Sequence, residues 1–273
     1  MNVRKYKLKF IRQIVFFQKT KGTKMINKEE PSPAKKSYLP ENFELTREFQ
    51  EVFDLIENTN NSVFITGKAG TGKSTLIEYF RENTKKKAVF IAPTGVAALN
   101  IRGKTIHSFF KFPPQVITSD VIKDNKYGEE KKSIFKFADL IVIDEISMVR
   151  ADLIQGIDFV LRKYCEPNKP FGGVQMVLVG DMYQLPPVID QNDKINITHN
   201  GEIIFEGSLH HYFERKYKGH YFFNSDAFKE ANFRYCVLNI IFRQKDDNKF
   251  MEIRNNKNAC GKQNRSRNKR HNF

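Results

Sequence analysis

The sequence predicts an α/β domain, with a mostly parallel sheet and helices on both of its faces. Four short apolar runs alternate with helical or loop segments, at 62–66, 88–92, 140–143 and 175–179. Continuous apolar runs of this length are typical of parallel strands that are covered on both faces. Glycine and acidic residues follow these runs, at the strand ends where open α/β sheets bind ligands. A last apolar segment, 235–241, resumes the pattern.

The helices between these strands can be assigned in order along the chain. A first helix is predicted near 45–56, where Thr46 can cap its start and apolar residues recur at helical spacing. A second helix follows the run at 62–66, and a clearly amphipathic one covers 153–161. Residues 111–135 are polar and poorly periodic, so the sequence assigns no element to them.

Charge is unevenly distributed along the 273-residue chain, which has 46 basic and 31 acidic residues. Residues 1–24 hold eight basic residues and residues 255–273 hold six, and neither segment has an acidic residue. Residues 25–254 therefore have 32 basic against 31 acidic residues. The high net charge belongs to the two ends, so it does not show that the folded part binds nucleic acid.

The domain organisation follows from composition. Residues 1–43 are predicted to be a basic leader and a proline-containing linker, and residues 255–273 a basic tail, both disordered. Residues 44–254 would form the folded domain, with a polar and aromatic insertion at 189–225. The leader is either a transit peptide or sequence upstream of a start at Met25, and its shortage of serine favours the second. Three cysteines without a C-x-x-C pair favour reduced thiols, and no apolar run approaches membrane-spanning length.

Residues 67–74 read GKAGTGKS and fit the phosphate-binding loop pattern G-x-x-x-x-G-K-[ST]. The loop stands between a predicted strand and a predicted helix, which favours this function over a plain glycine-rich turn. Its glycines allow backbone N–H groups to converge on a phosphate at the positive end of the helix. Lys73 is expected to contact the β- and γ-phosphates, and the Ser74 hydroxyl to hold Mg²⁺. The candidate nucleotide-binding residues here are Gly67, Gly70, Thr71, Gly72, Lys73 and Ser74.

Two adjacent acids, Asp144 and Glu145, follow the apolar run at 140–143. A carboxylate at this strand end can hold Mg²⁺ opposite Ser74, so Asp144 is the second candidate metal ligand. Glu145 projects in a different direction and can accept a proton from an attacking water. Such a pair is otherwise a solvated turn, but the phosphate-binding loop favours the functional interpretation.

Two further residues complete the candidate catalytic set with Glu145. Gln184 follows the strand at 175–179, and its amide is suited to sensing a γ-phosphate and positioning water. Arg243 follows the last apolar segment and can stabilise the transferring phosphoryl group, as arginine fingers do. Taken alone, a loop glutamine is commonly structural, and an arginine after a strand commonly forms a surface ion pair.

Five motifs occur in order along the chain. They are GKAGTGKS at 67–74, APTGVAA at 92–98 with GKTIHSFF at 103–110, IDEISMV at 143–149, FGG at 171–173 with GDMYQLPPV at 180–188, and FRQ at 242–244. Together they resemble the motifs of the petite-integration-frequency (PIF) family of superfamily-1 DNA helicases, which move 5′-to-3′. The resemblance covers about residues 44–254. It implies a RecA-like P-loop NTPase domain (helicase domain 1A) that uses ATP and Mg²⁺. It also implies action on single-stranded DNA or duplex junctions in repair, recombination, replication or telomere maintenance.

The resemblance also implies roles for individual residues. The positions that would lie along single-stranded DNA are Thr94, Gly95, His107 and Phe109. Small residues and an aromatic ring suit phosphate contact and base stacking, although core packing explains Phe109 equally well. Gln50 would be the glutamine that contacts adenine, but Phe49 stands where an L-T-x-E-Q pattern has its glutamine.

The chain also departs from the resemblance. Such helicases have two RecA-like domains with ATP between them, and the thirty residues after Arg243 are too few for a second one. The chain is therefore expected to be a truncated or frameshifted product, or a partial gene model, and the missing second domain could be encoded separately. A monomer is expected. The alternatives are a weak ATP- and DNA-binding fragment, or a P-loop ATPase that is not a helicase. The expected location is the bacterial nucleoid or the eukaryotic nucleus or mitochondrion, with no membrane.

Overall fold

The computed structural model describes residues 37–40, 43–189, 193–199 and 202–240. In that part of the chain, six parallel strands form one sheet in the order β3-β2-β4-β5-β1-β8, and β6 and β7 form an antiparallel hairpin. The strands are β1 Val63–Gly67, β2 Ala88–Ala92, β3 Lys104–Thr105, β4 Leu140–Ile143, β5 Gln175–Gly180, β6 Lys194–His199, β7 Glu202–Ser208 and β8 Arg234–Leu238. The predicted α/β fold with a mostly parallel sheet is confirmed.

Helices connect these strands. They are α1 Arg47–Asn58, α2 Lys73–Asn83, α3 Gly95–Asn100, α4 Ile106–Phe110, α5 Ser119–Asp124, α6 Glu129–Phe137, α7 Ala151–Tyr164, α8 Leu209–Tyr217 and α9 Asp226–Glu230. Short 3₁₀ turns lie at Ile146–Met148, Pro170–Gly173 and Phe222–Asn224. The predicted cap of α1 is present, because the Thr46 hydroxyl accepts a hydrogen bond from the Phe49 N–H. No helix in the described ranges is long and apolar enough to cross a membrane.

Strand β4 explains why its sequence run is apolar at every position. Ile141 and Ile143 pack into the core on the α7 side of the sheet. Leu140 and Val142 pack into the core on the α1 and α2 side. Successive side chains of a strand point to opposite faces, so a sheet covered on both faces requires apolar residues throughout.

The strand order brings the functional segments together. Strand β5 pairs with β4 on one side and with β1 on the other, all parallel. In the register of these pairs, Ile143 lies beside Leu178, and Thr66 lies beside Gly180. The carboxyl ends of β4, β5 and β1 are therefore neighbours at one edge of the sheet.

The segment predicted as an insertion carries the hairpin β6–β7 and helix α8. A small separate apolar cluster, with Ile197, Phe213 and Val116 among its members, attaches it to the rest of the fold. Residues 111–135, which lack periodicity, contain α5 and the start of α6. These helices are short and bury few residues each, such as Phe135 in α6, so they leave no repeating pattern. The predicted basic tail at 255–273, the whole leader at 1–24 and most of the linker lie outside the described residues.

Candidate active site

The loop between β1 and α2 has a backbone that requires its glycines. Gly70 has a φ of 84° and Gly72 a φ of 80°, in the left-handed region that favours glycine. A Cβ at Gly67 would lie 2.6 Å from the Thr71 hydroxyl oxygen and 2.8 Å from the Leu238 carbonyl oxygen. The Thr71 hydroxyl itself donates to the Lys68 carbonyl at 2.9 Å. The loop is therefore closely packed around its own backbone.

The start of α2 is suited to an anion. Gly72 occupies the cap position and offers no side chain to the first N–H groups of the helix, and the first turn has no acidic residue. Lys73 Nζ donates to the Gly67 carbonyl at 2.6 Å and to the Lys68 carbonyl at 3.0 Å, so it reaches back across the loop. Ser74 is exposed. Unpaired N–H groups at a helix N-terminus, a lysine and a hydroxyl fit a nucleotide triphosphate with its cation.

Asp144 is a buried carboxylate, 6% exposed, directly after β4. Its Oδ1 accepts a hydrogen bond from the Glu145 N–H at 2.9 Å. Burial raises the pKa of Asp144 to about 6, and Glu145 adds to the rise, while its N–H bond and Lys73 oppose it. A carboxylate held in an apolar setting near Lys73 fits the role of ligand to a divalent cation.

Glu145 turns the chain out of β4 with an unusual backbone. Its φ of 51° lies in the left-handed region, where a residue with a side chain is uncommon. The 3₁₀ turn Ile146–Met148 follows directly. The side chain is half-buried and lines a cleft of about 640 Å³ together with Gln184. Strained residues of this kind are concentrated at functional sites.

Asp181 is a residue of the site whose role the sequence did not reveal. It is 4% exposed and directly follows β5. Its Oδ1 accepts from the Tyr183 N–H at 3.0 Å, and its Oδ2 accepts from Gln184 Nε2 at 3.2 Å. Asp181 therefore fixes the turn that carries Gln184 and orients the glutamine amide. The available signal was an aspartate at the head of a turn, a position where aspartates bond the backbone two residues on.

The segment from Thr94 reaches the same cleft. Thr94 lines it, and its hydroxyl caps α3 by accepting from the Ala97 N–H at 3.2 Å. Gly95 is exposed, and a Cβ there would meet nothing within 4 Å. No described neighbour therefore explains a glycine at this position. The open backbone allows close approach by a ligand.

Two of the other candidate residues, Gln50 and His107, lie in the described part of the chain, and a third, Arg243, does not. Gln50 donates from Nε2 to Asp54 Oδ1 at 2.9 Å, along its own helix, so its amide is engaged away from the loop. His107 is half-buried, and burial followed by the charge of Arg150 lowers its pKa.

The expected role of Phe109 in stacking on a base of single-stranded DNA requires a correction. It is 5% exposed and packs edge-on against Phe110 and Phe135, with ring centroids 4.9 and 5.9 Å away. Lys131 Nζ lies 3.3 Å from the centroid of its ring. The ring is not accessible to a base in this structure, and core packing accounts for the residue.

Comparisons with known proteins decide the family. The sequence model of the PIF1-like helicases matches residues 44–205. The chain belongs to the PIF1-like helicase family. The resemblance inferred from the five motifs is therefore confirmed. The match spans the phosphate-binding loop, Asp144, Glu145 and the Gln184 turn.

Individual PIF1-like proteins are similar over most of the described region. The ATP-dependent DNA helicase PIF1 of Candida albicans is 36% identical over 200 residues, which cover 71% of this chain and 20% of that protein. A crystal structure of Bacteroides Pif1 bound to single-stranded DNA is 40% identical with a TM-score of 0.64, over 74% of this chain and 43% of that one. A Bacteroides Pif1 complex with ADP-AlF3 and single-stranded DNA is 39% identical with a TM-score of 0.65. The chain thus spans a fifth to less than half of these relatives.

Proposed function

We propose that residues 44–254 are the ATP-binding and ATP-hydrolysing motor domain of a DNA helicase that acts on single-stranded DNA. The observation that carries this proposal is the convergence of the phosphate-binding loop, Asp144, Glu145 and the Asp181–Gln184 turn at three neighbouring strand ends. The relatives support it, because they are named ATP-dependent DNA helicases and one was solved with ADP-AlF3 and single-stranded DNA. ATP and Mg²⁺ are the proposed substrate and cofactor.

The proposed chemistry assigns one task to each group. The N–H groups of the loop and Lys73 would bind the β- and γ-phosphates, and Ser74 and Asp144 would hold the cation. When bound, Mg²⁺ would neutralise charge that develops on the phosphate oxygens. Glu145 accepts the proton of the attacking water, which Gln184 orients. Arg243 would supply the remaining positive charge.

The proposed nucleic-acid path begins at Thr94 and Gly95 and continues to His107. Thr94 and Glu145 line one cleft, so a strand held at Thr94 would lie within reach of the catalytic residues. The 3₁₀ turn that follows Glu145 and the turn that carries Gln184 are short and local. If these turns move when nucleotide binds or leaves, the movement would act directly on the bound nucleic acid.

Titration of a fluorescent ATP analogue in the presence of Mg²⁺ tests the nucleotide site. Lys73→Ala is expected to weaken binding about 10- to 100-fold, because charge-assisted hydrogen bonds to phosphate contribute about 1.5–3 kcal/mol. Lys68→Ala is the matched control, since it removes an exposed lysine of the same loop. Its affinity should stay within about threefold of the parent. Equal affinity of the Lys73→Ala variant and the parent would contradict the proposal.

Gly95→Ala is expected to separate folding from nucleic-acid binding. The added methyl meets no described atom within 4 Å and replaces a glycine in α3. The free energy of unfolding should therefore stay the same or rise by up to about 1 kcal/mol. Affinity for single-stranded DNA should fall about tenfold, because the methyl would intrude on the ligand. Thermal melting and fluorescence anisotropy measure the two effects. Unchanged DNA affinity would remove Gly95 from the proposed path.

A further inference from the structure

Three lysines from separate elements lie around α4. Lys104 lies in β3, Lys111 follows the last residue of α4, and Lys131 lies in α6. After burial, the charges of Lys104 and Lys111 are the strongest influences on the Lys131 ammonium. Lys111 has a left-handed φ of 52°, which ends α4 and turns the chain at this point. Lys131 Nζ lies 3.3 Å from the ring centroid of Phe109 in α4, and Lys104 and Lys111 stand just before and just after that helix. Three positive charges therefore surround α4, and we call them the lysine triad.

Lys131 is held firmly within this triad. Its Nζ lies 3.3 Å from the ring centroid of Phe109 and 5.3 Å from that of Phe135. These contacts fix the ammonium over aromatic faces that are themselves buried. Burial, followed by the charges of Lys104 and Lys111, lowers the pKa of Lys131 to about 7.

The described carboxylates do not neutralise the triad. On the same helix as Lys131, Glu129 binds a different lysine, with Lys132 Nζ 2.7 Å from its Oε1. None of the three triad lysines forms an ion pair with a carboxylate of the described ranges. Like charges without a counter-charge destabilise one another. The arrangement is therefore complementary to an anion.

One member of the triad, Lys111, lines a cleft of about 650 Å³. The cleft also has Gln115, Thr118, Asn125 and the Asp120 carboxylate on its walls, with the hairpin strand β6 opposite. The Asp120 carboxylate lies 3.1 Å from Lys123 Nζ and 2.9 Å from His199 Nδ1. The Lys111 N–H donates to the carbonyl of His107, so the cleft begins one helical turn from the proposed nucleic-acid path. Amide and hydroxyl side chains next to a basic group suit a nucleotide, whose phosphate is charged and whose base is polar at its edge.

We propose that Lys104, Lys111 and Lys131 bind neighbouring phosphates of single-stranded nucleic acid as it leaves His107. This inference rests on the proposed function, because it extends the path of the same strand. It assigns a binding role to three residues of which two lie outside the five sequence motifs. Lysine acts here as a point charge toward the backbone, so the triad would contribute affinity and register without base specificity.

Salt dependence of binding tests the triad with the full 273-residue chain and a short fluorescein-labelled oligothymidylate. The test variant combines Lys104→Gln, Lys111→Gln and Lys131→Met, and the methionine keeps the packing of the Lys131 stem. The slope of log affinity against log salt should become about 2 less steep, since each phosphate contact with a single strand contributes about 0.7. The control variant, with Lys87→Gln, Lys169→Gln and Lys229→Gln, removes the same charge elsewhere and should leave the slope within about 0.5 of the parent. Equal slopes for the test and control variants would overturn the inference.

The pH dependence gives a second readout, on the single variant Lys131→Met. Anion binding favours the protonated amine, so parent affinity should be level below pH 7 and fall by up to about tenfold per pH unit above it. Lys131→Met should abolish this fall. The charged groups that act on Lys131 from β3 and from the end of α4 are Lys104 and Lys111. His107 also lies in α4, and burial lowers its imidazole pKa, which moves its titration below this range. A fall that persists in Lys131→Met would overturn the role of Lys131.

The same samples distinguish failure of this inference from failure of the proposed function. Binding of the ATP analogue reports on the nucleotide site and on folding of the variants. ATP binding without any oligothymidylate binding by the parent would overturn the triad and leave the nucleotide site standing. A parent that binds oligothymidylate but no ATP would overturn the motor function. If its oligothymidylate binding weakens in the triad variant and not in the control variant, the triad would still be upheld.

Discussion

Replacing Glu145 by Gln is expected to slow the release of phosphate from ATP by about 10²–10⁴-fold, the range of one general base. Glutamine has the same shape but cannot accept the proton of the attacking water. Nucleotide affinity should stay within about threefold of the parent, because the Glu145 carboxylate forms no hydrogen bond or ion pair with the described residues of the loop and its charge raises the pKa of Asp144. Loss of that charge lowers the pKa of Asp144, so its carboxylate ionises more easily, which favours binding of the cation. A phosphate-release assay with excess ATP measures the rate.

Two observations keep the Glu145→Gln result interpretable. Glu130→Gln changes an exposed glutamate in α6, removes the same charge and should leave the release rate unchanged. Titration with the ATP analogue shows that the variant still binds nucleotide. Turnover that survives in Glu145→Gln would show that another group is the base.

Asp144→Asn is expected to stabilise the fold while it removes Mg²⁺-dependent activity. The folded pKa of about 6 lies above the value of 3.8 for an unperturbed aspartate, so folding opposes ionisation. The ionised carboxylate therefore lowers the free energy of unfolding by about 1–3 kcal/mol above pH 6, and this cost disappears as the pH falls through 6 towards 3.8. Asparagine is neutral at every pH, so the variant should melt a few degrees higher near pH 8.

Thermal melting of parent and variant across this pH range, with a chelator and without nucleotide, measures the effect. The gain in melting temperature should shrink steadily from pH 8 to pH 4. Asp226→Asn is the matched control, an exposed acid in α9 beside Lys229, and should change stability by less than about 0.5 kcal/mol. An Asp144→Asn variant that is less stable than the parent at pH 8 would contradict the account of this carboxylate.

The sequence predicted the parts of the site that are set by local order along the chain. A glycine-rich loop between an apolar run and a helical pattern predicts a strand, a phosphate-binding loop and a helix, and β1, the loop and α2 follow that order. Asp144 and Glu145 were identified because they end a run that is apolar at every position. Both sequence patterns lie within about ten residues of the side chains that they locate, so these side chains could be predicted without knowledge of distant contacts.

The parts that the sequence left open depend on distant contacts. Phe109 packs in the core because Phe135 of α6 covers its ring. Phe135 lies more than twenty residues along the chain, in a segment whose apolar residues show no helical periodicity in the sequence. The role of Asp181 depends on a turn that aims its second oxygen at Gln184. Lys131 was not singled out, because its environment is created by Phe109, Lys104 and Lys111 from other elements.

The central claim is that this chain couples ATP hydrolysis to single-stranded DNA, and phosphate release by the full 273-residue chain tests it most directly. Release should require Mg²⁺, rise when oligothymidylate is added, and fall by about 10²–10⁴-fold in Glu145→Gln. Nucleotide binding without any release would instead identify a binding domain without turnover. Release that is the same with and without oligothymidylate would contradict the coupling and identify a P-loop ATPase of another kind.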